Sequence, residues 1–312
     1  MKLTNIQKEQ ILNLKNQGYS SRQIALQVLG SKTKKSTVND YLKQCKNTTI
    51  QNTPKSSKIL LLDIENSPSL GYYWNRWKTT IHESQVLSES FIISFAYMWY
   101  GDNSISCEYL DSKEVLNEDD KGLVEKLHKL LSEADIVVAH NGLKFDIPVI
   151  NTRLIYHGFT EPLPFKIVDT YQIAKKVFRF PSNSLKALAN YLKLVNRKTE
   201  PEDGFNLWRR CTYGDKEALE LMSDYNINDI IVLEELYTKL RPWDKLHPNV
   251  SVYTDSNKIT CLTCGSENLE KVNKLSYTAM SAYETYRCSD CGKILRGRKN
   301  ILNRNNLLTN VQ

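Results

Sequence analysis

No apolar run in this 312-residue chain approaches the roughly 20 residues that a membrane-spanning helix needs. The opening stretch MKLTNIQKEQ lacks the apolar core of a signal peptide. These two absences set aside an integral membrane protein and a secreted one, and we expect a cytoplasmic protein with no membrane partner. The missing secretion signal also bears on the cysteines. Cys261/Cys264 and Cys288/Cys291 form two tight pairs, while Cys45, Cys107 and Cys211 are scattered. Outside an oxidising compartment, paired C-x-x-C units suggest a metal rather than disulfides. There is no internal repeat.

What is present is ordinary in bulk: 41% hydrophobic and 25% charged residues, as in a globular protein. The length suits one medium domain with appendages, or two small domains. The net charge of +7 leans mildly towards a polyanionic partner such as nucleic acid.

Residues 4–44 read as three short helices. NIQKEQILNLKNQ places Ile6, Ile11 and Leu14 on a helical period, Gly18 stops it, and Ser20 or Ser21 caps RQIALQVLG, which ends at Gly30. KSTVNDYLKQ supplies the third helix, with Ser36 as its cap. Helix, glycine-containing turn, helix is the helix-turn-helix pattern. The last helix would then read a groove, with Lys34, Lys35, Thr37 and Asn39 near its start. A small structural bundle is the alternative. Residues 46–57, polar and proline-containing, read as a linker.

From residue 58 the pattern changes. KILLLDIE is a short continuous apolar run, as in a strand buried on both faces. FIISFAYMWY and SISCEYL form a hairpin about Gly101, DIVVAH is a fourth strand and FKIVDT a fifth. Helical periods occupy 121–134, the stretch FDIPVINTRLIYHG ended by Gly158, SLKALANYLKL, and about 215–240. Three early strands followed by alternating helices and strands predict an α/β fold: a mixed five-stranded sheet flanked by helices.

Carboxylates gather at the strand ends. Asp63 and Glu65 close the first strand, and alternation puts both on one side of it. Two carboxylates side by side repel, and hard divalent cations with a preference for oxygen relieve that. A D-x-E triplet arises easily by chance; here it terminates a core strand. The fourth strand runs into AHNGLKFD, so Asp146 falls where the next helix begins. Tyr225 and Asp229 lie four apart on the last long helix and share a face. Carboxylates from three separated segments could hold two divalent ions that activate a water and stabilise a phosphodiester leaving oxygen. The Tyr225 hydroxyl would then reach the attacking water.

Asp63-x-Glu65, Asp146 in HNGLKFD, and Tyr225-x-x-x-Asp229 resemble the three motifs of the DEDD exonucleases, which share the ribonuclease H fold and include the proofreading domains of polymerases. Tyrosine marks the DEDDy branch; the histidine branch would place His where this chain has Asp224. YYWNRW, VDTYQIAKKVF, SLKALANYLKL and LRPWDKLHPN resemble phage stand-alone exonucleases of this class. The resemblance covers about residues 57–248. It implies that Asp63, Glu65, Asp146 and Asp229 hold two Mg²⁺ or Mn²⁺ ions and that Tyr225 orients the nucleophile. Asp169, in VDT, is not one of the four ligands and is expected to cap the following helix. His140 and Asn141 either line the substrate groove or form a polar turn.

CLTCG and CSDCG are two knuckles whose glycines, Gly265 and Gly292, allow a tight backbone around sulfur. Four cysteines predict one closed, tetrahedral and therefore structural Zn²⁺ in a segment resembling a zinc ribbon, with an iron–sulfur cluster as the alternative. Lys293, Arg296, Arg298 and Lys299, with Arg304 beyond, are either phosphate contacts or a solvated basic tail.

The expected organisation is a helix-turn-helix (1–45), a linker (46–57), an exonuclease domain (58–248), a zinc ribbon (258–299) and a tail (300–312). The expected function is a metal-dependent 3′–5′ exonuclease acting on DNA rather than RNA. With no polymerase segment in the sequence, it would proofread in trans for a separate DNA polymerase. Two rivals are a structure-specific endonuclease or transposase-like recombinase on the same fold, and a non-catalytic DNA-binding regulator.

Overall fold

A computed structural model describes residues 3–16, 19–48, 57–75, 77, 79–102, 104–196, 204–254, 258–303 and 307–308. Gly18, the linker from 49 to 56, Arg304 and the last four residues of the tail lie outside the described residues. The chain forms two compact units, Met1–Lys55 and Ser56–Gln312. No described helix is long and apolar enough to cross a membrane.

The first unit holds α1 (Asn5–Asn16), α2 (Ser21–Leu29) and α3 (Lys35–Thr48). Ser20 caps α2, and its own N–H donates to Gln23 Oε1 at 3.0 Å. Gly30 ends the helix at φ 72°, a left-handed conformation that costs glycine little. The expected cap at Ser36 is not formed. Ser31 instead accepts from Thr33 N and starts a 3-10 turn, Lys32–Lys34, that runs without a break into α3, so Ser36 is already inside the helix. Ile11, Ile24, Ala25, Leu29 and Val38 form the small core.

In the second unit, β1 (Ile59–Asn66), β4 (Ile92–Trp99), β5 (Ser106–Tyr109), β6 (Ile136–Ala139) and β7 (Lys166–Asp169) form one sheet in the order β5-β4-β1-β6-β7, while β2 (Leu70–Gly71) and β3 (Val86–Ser88) pair with each other in a separate two-stranded sheet. β4 runs antiparallel to β1 and β5, whereas β6 runs parallel to β1 and β7. The helices are α4 (Ser112–Leu116), α5 (Lys121–Glu133), α6 (Asp146–Tyr156), α7 (Thr170–Val177), α8 (Leu185–Tyr191), α9 (Asn206–Thr212) and α10 (Lys216–Leu240). This is the expected α/β architecture.

The run KILLLDIE is apolar throughout because β1 is covered on both faces. Leu60, Leu62 and Ile64 join one core with residues of α5, α6 and α9. Ile59 and Leu61 join a second with residues of α7, α8 and α10. Alternation therefore turns Asp63 and Glu65 towards the α10 face. A final three-stranded antiparallel sheet, β8 (Leu269–Thr278), β9 (Ser281–Cys288) and β10 (Ile294–Arg296), has the order β10-β9-β8.

One buried network ties α6 to its neighbours. Asp120, fully buried before α5, accepts from Arg153 Nε at 2.7 Å and Arg153 Nη2 at 2.6 Å, and from Ile92 N on β4 at 2.9 Å. His157 Nε2 lies 2.6 Å from Asp120 Oδ1, the oxygen that also accepts from Arg153 Nη2. Removing one partner of such a pair leaves an uncompensated buried charge. Asp120→Ala is expected to lower the unfolding free energy by about 3–5 kcal/mol in denaturant titrations; a loss below about 1 kcal/mol would show the network to be dispensable.

Candidate active site and cysteine cluster

The C-terminal end of β1 and the middle of α10 meet above the sheet. One carboxylate oxygen from each of Asp63, Glu65 and Asp229 lies within 4.8 Å of the others, with Asp229 buried and the other two half-buried. Hydrogen-bond donors hold the first two in place. Asn226 Nδ2 donates to Asp63 Oδ2 at 2.7 Å, and Ser94 Oγ on β4 donates to Asn226 Oδ1 at 3.2 Å. Trp208 Nε1, on α9, donates to Glu65 Oε2 at 3.1 Å. Such a set of converging hard oxygen donors fits Mg²⁺ or Mn²⁺.

Asp146 is not part of that set of three. It is the first residue of α6, and its Oδ1 accepts from Ile64 N, between Asp63 and Glu65, at 3.2 Å. Burial pushes its carboxyl up to about 7, against the pull of the N–H groups of Ile64 and Asp146 itself, with a small further rise from Asp169. A cation nearby would act in the opposite direction.

The turn that delivers Asp146 is built by Asp169. As expected, Asp169 caps α7, accepting from Gln172 N at 3.2 Å. The same carboxylate also accepts from Asn141 N at 3.0 Å and Leu143 N at 3.2 Å, which fixes the link between β6 and α6. His140 and Asn141 belong to this turn. Asn141 has φ 66°, and the two ring nitrogens of His140 meet Thr170 Oγ1 at 2.9 Å and the Asn183 carbonyl at 3.0 Å. Of the two readings of this pair, the geometry fits the polar turn. Both ring nitrogens of His140 make their bonds within the fold, which is what the polar-turn reading requires.

Tyr225 lies one turn before Asp229, half-buried, its ring edge-on to Trp208 with centroids 5.7 Å apart. Both line a groove of about 790 Å³ that is also lined by Asn66, Ser67, Pro68, Ser69 and Ser90. Trp208, Asn226 and Ser94 escaped the sequence reading. Asn226 left one signal, a polar residue on the inward side of a helix.

Residues 82–241, just over half of the chain, match the family model described as the RNase_H superfamily. The chain belongs to the RNase_H superfamily. Within this superfamily member the matched stretch contains Asp146, Tyr225 and Asp229 and begins beyond β1. Over 137 residues the chain is 31% identical to the DNA polymerase III PolC-type of Ureaplasma parvum serovar 3, which covers 42% of this chain but only 9% of that protein. Among solved structures, the family B DNA polymerase of the hyperthermophilic archaeon Pyrobaculum calidifontis is similar at a TM-score of 0.45 and 17% identity, covering 60% of this chain and 25% of the polymerase chain.

The second cluster is Cys261, Cys264, Cys288 and Cys291, whose sulfurs lie within 4.8 Å of one another. Cys261 Sγ is 3.6 Å from Cys291 Sγ, and Cys264 Sγ is 3.6 Å from Cys288 Sγ. That is too long for a disulfide and close to the edge of about 3.8 Å of a tetrahedron with Zn–S bonds of about 2.3 Å. Gly265 and Gly292, at φ 77° and 80°, return their N–H groups to the Cys261 and Cys288 carbonyls at 2.8 and 2.9 Å. Burial alone would raise the Cys288 thiol, but N–H groups of Cys291 and Asp290 and the neighbouring thiols bring it down to about 7.

The basic residues divide. Lys35 and Asn39 are exposed and Thr37 is half-exposed, whereas Lys34 Nζ donates back to the Leu29 carbonyl at 3.1 Å. Arg296, Arg298 and Lys299 line a groove of about 710 Å³ on the small sheet, and the Arg296 guanidinium sits 4.5 Å over the Tyr283 ring. Lys293 differs from the expectation: it is buried and donates to the Asp244 carbonyl. Its ammonium is taken up by the turn after α10 rather than held out beside Arg296, Arg298 and Lys299.

Gly142 shows how little room the β6–α6 turn has. A Cβ there would lie 2.4 Å from Ala139 Cβ and 3.5 Å from Asp146 Oδ2. Gly142→Ala is expected to cost about 1–3 kcal/mol in thermal unfolding and to weaken divalent-ion binding, measured by calorimetric titration. Unchanged melting and ion affinity would mean the turn adjusts without moving Asp146.

Proposed function

We propose that this chain is a metal-dependent 3′–5′ exonuclease of the DEDDy class, hydrolysing phosphodiester bonds of DNA in preference to RNA. It would act in replication or repair and proofread in trans for a separate polymerase. Membership of the RNase_H superfamily and the likeness to a polymerase support a nuclease-type activity on nucleic acid. The observation that carries the finer reading is the convergence of Asp63, Glu65 and Asp229, with Tyr225 one turn away at the groove.

Asp63, Glu65, Asp229 and Asp146 would hold two Mg²⁺ or Mn²⁺ ions. When bound, such ions acidify water and neutralise the charge that develops on the phosphate. The side chains supply the rest. Asn226 and Trp208 hold the Asp63 and Glu65 carboxylates in position, so little reorganisation is left for the reaction. The Tyr225 hydroxyl would accept or donate a hydrogen bond to the attacking water, and the groove would receive the 3′ end of the strand.

The other modules follow the same reading. The cysteine cluster would hold one structural Zn²⁺ in a ribbon spanning 258–299, with 58–248 as the catalytic domain and 300–312 as a tail. The three helices of 1–45 would form a helix-turn-helix, joined through the linker 46–57, that meets DNA through Lys35, Thr37 and Asn39. Arg296, Arg298 and Lys299 would contact phosphates.

With 5′-labelled single-stranded DNA and Mg²⁺ or Mn²⁺, the expected products shorten one nucleotide at a time, and EDTA stops the reaction. Asp63→Ala and Asp229→Ala should remove nearly all activity. Tyr225→Phe should lower turnover about 10-fold or more with no change in melting. A folded, fully active Asp229→Ala would sink the site assignment, and internal cuts would favour an endonuclease.

Elemental analysis tests the cysteine cluster separately. One zinc per chain is expected for the natural sequence and none for Cys261→Ser, since each thiolate is a quarter of a closed site. Retention of zinc by the serine variant, or iron in its place, would reassign the cluster.

A further inference from the structure

Between Ser67 and Ser90 the chain leaves the sheet as an arm. β2 and β3 pair along it, with Tyr72 N donating to the Gln85 carbonyl at 2.8 Å and Gln85 Nε2 to the Tyr72 carbonyl at 2.9 Å. Its root is firmly held. Ser67 N donates to the Phe91 carbonyl at 2.8 Å, Phe91 N to Ser67 Oγ at 2.9 Å, and Ser90 Oγ to the Ser67 carbonyl at 2.7 Å. Both stems, Ser67–Ser69 and Ser90, line the same groove as Trp208 and Tyr225.

Beyond the root the arm exposes aromatic rings. Trp74 is 96% exposed, Trp77 86%, Tyr72 69% and Tyr73 59%. Large rings in water are costly to leave uncovered, and a cluster of them marks a binding surface. Charge selects the occupant. The outgoing stretch that carries the rings, Ser67 to His82, includes Arg76 and Lys78 and no acidic residue; Glu83 and Glu89 lie on the returning side of the arm. Aromatic faces interleaved with cations are the combination that binds single-stranded nucleic acid, because bases stack on rings while the backbone meets positive charge.

We propose that the arm is a stacking platform for a single strand, holding its bases while its end lies in the groove beside Tyr225. The strand's direction rests on the nuclease reading; the platform itself is tested by binding alone. Bases, rather than phosphates, must supply most of the contact. The rings are solvent-exposed, so replacing them should leave the fold intact, and circular dichroism verifies this.

The test uses the full chain dialysed free of Mg²⁺ and Mn²⁺ without chelator, so that the cysteine cluster keeps its metal, with fluorescence anisotropy of a labelled 16-nucleotide oligo(dT) and of an abasic strand of equal length. One stacked base contributes roughly 5- to 150-fold in affinity. Trp74→Ala/Trp77→Ala should therefore weaken oligo(dT) binding at least about 10-fold, and Trp74→Phe/Trp77→Phe should recover most of it. The natural sequence should bind the abasic strand about as weakly as the alanine variant binds oligo(dT). Equal binding of the two strands by the natural sequence would overturn the proposal, as would an alanine variant with unaltered affinity, and the rings would then face a protein partner. Adding Mg²⁺ separates the two readings. Base-dependent binding without degradation leaves the platform standing and the nuclease reading fallen; degradation without base-dependent binding does the reverse.

Discussion

Three carboxylates whose oxygens lie within 4.8 Å of one another repel, and the second unit is arranged around keeping them there. At an effective dielectric of about 20, each such pair opposes assembly by on the order of 3 kcal/mol. The opposing force is not local. β1 is packed on both faces, and α10 lies across it with Ile230, Val232, Leu233 and Leu236 buried below Asp229. Neither element can withdraw its carboxylate without exposing apolar surface. The Asn226 amide and the Trp208 indole then place donors against Asp63 and Glu65, which lowers the cost further.

This dependence explains which parts of the site could be read in the sequence. Asp63 and Glu65 were legible because they end a continuous apolar strand, and Tyr225 and Asp229 because helical spacing puts them on one face. Those are local rules, and so is the cap formed by Asp169. Asn226 and Trp208 act on partners 163 and 143 residues away, and no periodicity encodes such a pairing. The five-residue α4 and the two-residue β2 fall below the length at which a pattern emerges. The five strands and the longer helices do not, and the mixed sheet followed from them.

Lys293 illustrates a different failure. In the sequence it stands first in a run of basic residues and looks like its neighbours. In the fold it is buried, its ammonium held by the Asp244 carbonyl and within electrostatic reach of the Cys261 and Cys291 thiols. Four thiolates around a divalent ion would leave two negative charges, and a buried ammonium beside them offsets one. Sequence neighbours that share a charge need not share a solvent.

The Asp120 network has a consequence for motion. α6 is held at its N-terminal end by the bond from Ile64 to Asp146, and two turns later by the paired bonds from Arg153 to Asp120. A helix fixed at two points cannot swing as a hinge, so breathing of the groove falls elsewhere. The arm from Ser67 to Ser90 has a paired register of two residues and few buried side chains, which places its local opening at the low end of the free-energy scale. The groove thus keeps a held edge at the root of the arm, while the exposed rings beyond that root sit on the part of the unit that opens most readily.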